Sequence, residues 1–193
     1  IGLSDAIYEE MEKPVQAGAK QVTHLFNGMR GIHHREPGVA GSALIFKELM
    51  VELIADGIHV RPEVMKMVIN AKGTEGMILI TDAMRAKCLK NGVYDLGGQD
   101  VSVADGKALL ADGTLAGSIL KMNDSLKNIQ EAADISLTEA VQMASVNPAK
   151  QLKVYDRKGS LSVGKDADIT ILSDEYQVEM TFCRGKIAFK KGD

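Results

Sequence analysis

VELIADGIHVRPEVMKMVINAKGTEGMILITDA, residues 51–83, decides the fold. It opens on a continuous apolar run, Val51–Ala55, breaks at Asp56-Gly57, and resumes with Pro62 at the start of a helix-period segment, Glu63–Lys72, that Gly73 stops. Proline suits a first helical turn because the N–H it lacks would be unpaired there anyway, and glycine past the end tolerates a left-handed backbone. Met77–Ile80 is a second short apolar run. Such runs, too short for helices and without polar alternation, read as strands buried on both faces. Strand, helix and strand in this order form the crossover of a parallel sheet, so the predicted architecture is α/β with helices outside the sheet.

The same rhythm extends upstream. Ser4–Ala17 reads as an N-capped helix ending at Gly18, shortened or kinked by Pro14; Gln21–Leu25 is strand-like; Asn27–Gly38 is a glycine-rich loop; and Val39–Phe46 is the next helix. After Asp82 the pattern changes. Val93–Gly98, Gln99–Val103 and Lys107–Leu110 are short runs separated by Gly-Gly and Asp-Gly pairs, which predict hairpins in an insertion near 93–113. Helical periodicity returns in Ile119–Ala133 and in Ser136–Ala144, where Ser136 and Glu139 match a capping box. Ala167–Leu172 and Val178–Lys190 predict strands of a small terminal β layer. The expected division is a parallel α/β part over 1–150 and terminal β strands over 151–193.

The 193 residues suggest one domain plus an appendage. A net charge of −3, 25% charged and 45% hydrophobic residues are ordinary values for a chain that buries a core, and they argue against disorder and electrostatic nucleic-acid binding. No apolar stretch approaches the ~20 residues that cross a bilayer. Cys88 and Cys183 lack metal-ligand spacing, so they read as reduced, buried small residues of a cytoplasmic protein. Met65, Met67, Met77 and Met122 fall on apolar patterns and read as packing. Ile1 at the start, with no leader pattern before the first helix, reads as a piece cut from something longer.

Polar residues close each strand-like run. His24 ends the first, Asp56 and His59 follow the second, and Thr81-Asp82 caps the third. Functional groups of parallel α/β folds gather at the carboxyl ends of strands, so these residues are expected to converge. An imidazole is a metal ligand or proton shuttle, and a carboxylate beside a divalent ion takes a proton from ion-bound water. Each position also has a plainer reading: a hydrogen-bonded structural histidine at 24, a surface-loop histidine at 59, a capping carboxylate at 82. Between His24 and Gly38 the loop carries Arg30, His33, His34 and Arg35 among glycines, which suits an anion, although Arg35 and Glu36 also read as a solvated surface pair. Leu115-Ala116-Gly117-Ser118 precedes a helix and is a further candidate for backbone contacts.

Five segments in order carry a resemblance: Thr23-His24-Leu25-Phe26-Asn27-Gly28-Met29, His34-Arg35-Glu36-Pro37-Gly38, Ala55-Asp56-Gly57-Ile58-His59, Ile80-Thr81-Asp82-Ala83-Met84 and Leu115-Ala116-Gly117-Ser118. They resemble the N-acetylglucosamine-6-phosphate deacetylase family of the amidohydrolase superfamily. Asn147-Pro148-Ala149-Lys150, Gly159 and Gly164-Lys165-Asp166-Ala167-Asp168 resemble that superfamily's return from its barrel to a small β domain. The resemblance implies the C-terminal part of a (β/α)8 TIM-type barrel with terminal strands of a small β-sandwich. It implies metal-assisted hydrolysis of N-acetylglucosamine 6-phosphate to glucosamine 6-phosphate and acetate, in amino-sugar catabolism.

Carried over residue by residue, it makes His24 a ligand of a divalent metal, zinc or iron foremost, and Asp82 the general base that later protonates the leaving amine. His59 is implied to polarise the acetyl carbonyl. Asn27 and Gly28 are implied to hold the sugar phosphate, with Arg35 gripping the phosphate, in some relatives from the neighbouring subunit, and Leu115, Ala116 and Gly117 to line the pocket. The implied partners are an amino-sugar phosphate and a second copy in a homodimer, with no nucleic acid or membrane. Two departures stand out. A (β/α)8 barrel alone needs ~250 residues, and the segment with the family's metal-binding Glu is not in this chain. The family's Gly-His-Ser/Thr motif aligns with Gly2-Leu3-Ser4, and Leu3 cannot coordinate a metal. The chain alone is therefore expected to bind metal poorly and to be inactive, either as an incomplete enzyme or as a non-catalytic chain that binds sugar phosphate or self-associates. Its open strand edges make pairing with another copy, or with an N-terminal portion, a way to cover apolar surface.

Overall fold

The computed structural model describes residues 1–192. Three short parallel strands, β1 (Gln21–Val22), β2 (Met50–Ile54) and β3 (Met77–Ile80), form a sheet in that order. Val22 is level with Val51, and Val51 with Met77, so the three strands run in register and end at one edge. Both margins of the sheet continue beyond these strands. The Ile1 amino group donates to Gln21 O at 2.7 Å and Thr23 N donates to Ile1 O at 2.9 Å, so the chain start lies alongside β1. At the other side Ser118 bridges Ala83 in parallel.

Helices α1 (Tyr8–Gln16), α2 (Gly38–Ile45), α3 (Pro62–Lys72) and α4 (Met122–Ala133) accompany this sheet. Alternation within the strands sorts the core. Val22, Val51, Leu53, Met77 and Leu79 are buried in the main cluster with Met65, Val68 and Ile129 from the helices. Each such side chain contributes about 1.5–3 kcal/mol by leaving water. On the other positions lie Gln21 of β1, Thr23 just after it and Glu52 of β2; the Gln21 and Thr23 side chains both donate to the Glu52 carboxylate, Thr23 Oγ1 at 2.7 Å.

The hairpin insertion forms as its turn pairs predict. β4 (Gly92–Leu96), β5 (Gln99–Ala104) and β6 (Lys107–Leu109) make an antiparallel sheet over a small core of Met84, Ala86, Val101, Val103 and Ala108. The capping box also forms, with Ser136 Oγ accepting from Glu139 N and the Glu139 carboxylate accepting from Ser136 N. The helix it opens, α5 (Leu137–Val141), continues through a π-helical turn, Gln142–Val146, into α6 (Asn147–Gln151). Asn147, 3% exposed, donates to Thr74 O and Met77 O at 2.7 and 2.6 Å, which ties this turn to the foot of β3. A terminal antiparallel sheet, β7 (Ile169–Leu172), β8 (Val178–Cys183) and β9 (Lys186–Lys190), completes the described residues.

Several expectations need correction. Helix α1 begins at Tyr8, not near Ser4, because the Glu36 carboxylate accepts the Tyr8 N–H at 2.9 Å and Ser4 Oγ is turned to Ala6 N. Pro14 lies inside α1 without breaking it, two residues before its end. The helix expected from Ile119 starts at Met122, since Ser118 is held in the bridge to Ala83. Val178–Lys190 is two strands, divided by the Arg184-Gly185 turn, with both residues at positive φ. Cys88 and Cys183 are free but exposed, in a turn and at a strand end, not buried. Met67 is 45% exposed: in α3 the residues facing the core are Met65, Val68 and Ile69, and position 67 falls between them on the outer face. Among the described residues, no helix is long and apolar enough to cross a membrane.

Candidate functional site at the carboxyl ends of three parallel strands

Each strand of the parallel sheet delivers its polar residues to the same edge. His24 follows β1, Asp56 and His59 follow β2, and Asp82 follows β3. Leu115–Ser118 joins them there, because Ser118 N donates to Asp82 O at 3.0 Å and Met84 N donates to Ser118 O at 2.9 Å. A Cβ on Gly117 would stand 3.4 Å from Asp82 O, so the candidate backbone segment and the candidate base are neighbours.

The backbone turns sharply where these residues sit. His24 (φ 33°), Asp82 (φ 47°) and Leu3 (φ 49°) all occupy the left-handed region that non-glycine residues enter at a cost. Three such residues at one sheet edge are held there by surrounding structure. His24 Nδ1 faces Asn27 O at 3.1 Å, while Asn27 Nδ2 donates to His24 O and Leu25 O at 3.2 and 3.1 Å. This closes a turn that leaves His24 Nε2 without a hydrogen-bond partner among the described residues and engages the amide donors of Asn27 locally. Gly28 (φ 59°) follows, exposed, and the Leu3 side chain lies against it: a Cβ there would meet Leu3 Cδ2 at 2.5 Å.

His59 and Asp56 form the most enclosed pair of the edge. Their side chains are 6% and 9% exposed, and His59 Nδ1 lies 2.6 Å from Asp56 Oδ2. Asp56 Oδ1 accepts from Ile58 N and His59 N, both at 2.8 Å. Burial by itself would raise the Asp56 pKa; the hydrogen bonds from the His59 ring and the two backbone N–H groups outweigh it and hold the carboxyl below the usual carboxylate value. Asn128 of α4 donates to Ala55 O at 2.9 Å, fixing the end of β2 from behind.

The cationic loop is built differently from its sequence reading. Glu36 does not pair with Arg35; its carboxylate accepts from Tyr8 N and Gly38 N, both at 2.9 Å. Arg30 makes a two-pronged bond to Asp5, 3.0 and 2.8 Å, and so serves the loop's own anchorage. Arg35 is exposed at the tip with His33 and His34, whose rings are 4.2 Å apart, and its Nη1 contacts His34 Nε2. The tip is thus a projecting cationic point on a well-tethered base.

Two partnerships were not legible in the sequence, Glu52 with Gln21 and Thr23, and Asp56 with His59. Glu52 lies within an apolar strand, and a carboxylate inside such a run was the available signal. Asp56 stood in view after β2, but only the fold shows that His59 curls back onto it. A cavity of 790 Å³ lies elsewhere, between α4, α6 and β7–β8, bordered by Leu126, Ala149, Leu152, Ile169 and Val178; none of the candidate residues lines it.

Among the described residues, no three His, Cys, Asp or Glu side chains gather as a donor set for a metal ion. The edge offers Nε2 of His24 and Nε2 of His59, with the Leu3 side chain lying against Gly28. A catalytic zinc-type centre takes three protein ligands and one open position, so these residues do not by themselves fit one.

The amidohydrolase family model matches residues 2–188. The N-acetylglucosamine-6-phosphate deacetylase of Bacillus subtilis (strain 168) is 52% identical over 189 residues, 98% of this chain and 48% of its own length. A putative N-acetylgalactosamine-6-phosphate deacetylase of Escherichia coli (strain K12) is 40% identical over 86% of this chain and 98% of its own. The crystal structure of N-acetylglucosamine-6-phosphate deacetylase from Thermotoga maritima superposes with a TM-score of 0.93 at 37% identity, over 98% of this chain and 52% of that one. The chain spans about half the length of the Bacillus relative and of the Thermotoga structure it matches.

Proposed function

Because the chain belongs to the amidohydrolase family, we propose that it is the C-terminal half of an N-acetylglucosamine-6-phosphate deacetylase, which hydrolyses the acetamide to glucosamine 6-phosphate and acetate. The carrying observation is the in-register end of β1, β2 and β3, where His24, His59 and Asp82 leave the sheet at one edge beside Leu115–Gly117. In this reading the parallel sheet is the later part of a (β/α)8 barrel over 1–150, and residues 151–193 belong to a small β domain.

Asp82 takes a proton from the water whose oxygen attacks the acetyl carbon. The C–N bond then breaks, the water oxygen leaves in acetate, and the same carboxyl returns its proton to the amine. His59 meets the acetyl oxygen. Asn27, Gly28 and Arg35 receive the sugar phosphate, with the Arg35 tip suited to reach a neighbouring subunit of a homodimer, and Leu115, Ala116 and Gly117 line the pocket. The family is metal-dependent in general, and His24 is this chain's own ligand. Leu3, whose side chain lies against Gly28, stands where the family has a second imidazole and cannot coordinate an ion. The working protein belongs to cytoplasmic amino-sugar catabolism.

The test joins this chain to the N-terminal half of a full-length relative, with and without Leu3→His, and follows acetate release from N-acetylglucosamine 6-phosphate, its galactosamine epimer and unphosphorylated N-acetylglucosamine. The chain alone should show no turnover, and the joined Leu3→His protein should prefer the first substrate. Silence of that protein on all three sugars refutes the reading. A non-catalytic sugar-phosphate binder is the second reading, favoured by Leu3 against Gly28. It predicts sugar-phosphate binding by the unmodified chain without bound metal, and stoichiometric metal would contradict it.

A further inference from the structure

We propose that Asp56 is the positioning residue for His59 in this reaction, fixing the imidazole with a proton on Nδ1 so that Nε2 is the atom presented to substrate. The inference rests on the deacetylase reading for what His59 meets, but its structural part stands alone. The two side chains are enclosed, 6% and 9% exposed, and their atoms approach to 2.6 Å. A hydrogen bond needs one donor, and Asp56 is poorly placed to be it. Its second oxygen already accepts two backbone N–H groups at 2.8 Å, and these favour the ionised carboxylate, which has no proton to give. The shared proton therefore sits on His59 Nδ1.

The local fold makes this arrangement rigid. Gly57 takes φ 75°, which lets the chain turn back so that residues 58 and 59 point their N–H groups at the preceding carboxylate. Asn128 holds the carbonyl of Ala55 just before the turn. With Nδ1 so engaged, only the Nε2 edge of His59 is available to a ligand. It offers a lone pair in the neutral ring and an N–H donor to the acetyl oxygen in the doubly protonated ring.

The experiment is a long-range proton–nitrogen correlation spectrum of the imidazoles in the 193-residue chain, at a pH well above the ordinary histidine value, with His59→Gln to assign the signal. His59 should show a protonated Nδ1 and a bare Nε2. His33 is an internal contrast, because its Nδ1 accepts from Arg35 N at 3.2 Å and its proton should be on Nε2. A bare Nδ1 on His59 overturns the inference without any variant. In Asp56→Asn the Nδ1 preference of His59 should be lost while His33 is unchanged; its persistence also overturns the inference. In the joined enzyme Asp56→Asn should lower kcat about tenfold or more with KM within about twofold, as expected when an imidazole loses the acceptor that selects its tautomer. An unchanged kcat overturns the positioning role. A joined enzyme with no deacetylase activity at all, alongside the expected spectrum, would instead refute the deacetylase reading and leave the Asp56–His59 tautomer intact.

Discussion

Asn147→Ala gives the sharpest test of how the strand bearing Asp82 is held. Asn147 is 3% exposed, and its side-chain amide donates to Thr74 O and Met77 O, bracketing the start of β3. Each neutral bond is worth about 0.5–1.5 kcal/mol net, and truncation leaves two carbonyls, one of them on buried Met77, without this donor. Truncation to alanine should therefore cost about 2–3 kcal/mol. Asn147→Asp removes the same donors and adds a charge facing two carbonyl oxygens, which should cost more, about 3–5 kcal/mol. For a chain of this size the alanine variant should melt about 4–12 °C lower. Urea unfolding at neutral pH, followed by circular dichroism, measures both variants, with the denaturant slope unchanged. A loss below about 1 kcal/mol for alanine, or an aspartate variant milder than alanine, would show that these two bonds do not anchor β3.

Three further outcomes follow from particular residues. The folded state holds Asp56 below the ordinary carboxylate pKa, so its contribution is complete above the unfolded value of about 3.9 and is lost as pH falls through the lower, folded value. The stability gap between the parent chain and Asp56→Asn should shrink below about pH 4 in acid titrations of unfolding; a gap that widens there contradicts the sign. Gly38→Ala places a Cβ 2.6 Å from Gly31 O and 2.8 Å from Arg30 Cγ at φ 59°, and should cost about 2–4 kcal/mol; a loss under 1 would mean the loop yields freely. Arg35→Ala, at an exposed tip, should change stability by no more than about 0.5 kcal/mol. In the joined enzyme it should cut the preference for phosphorylated over unphosphorylated sugar about 10- to 100-fold, and an unaltered preference removes Arg35 from the phosphate site.

Much of the parallel sheet was legible because its signals are local. Pro62 and Gly73 bracket α3, apolar runs mark β2 and β3, and paired glycine and Asp-Gly turns set β4–β6. The candidate site was legible to the same depth: polar residues at strand ends imply a shared edge once the strands are parallel. The start of α1 was not, since its cap is Glu36, 28 residues away, and Ser4 by itself matched the rule. Nor was the exposure of Cys88, which depends on the turn that follows β3 rather than on the residue's own chemistry.

Sequence alone determined the order and kind of most elements and which polar side chains stand at the strand ends, because backbone preferences and hydrophobic period act over a few residues. Tertiary structure decided who meets whom. It set Glu36 on α1 and Gly38 instead of Arg35, Leu3 against Gly28, Ser118 beside Ala83, and the His59 ring on the Asp56 carboxylate. Those pairings come from strand register and from competition among distant donors and acceptors, each of which has several local partners available until packing removes all but one.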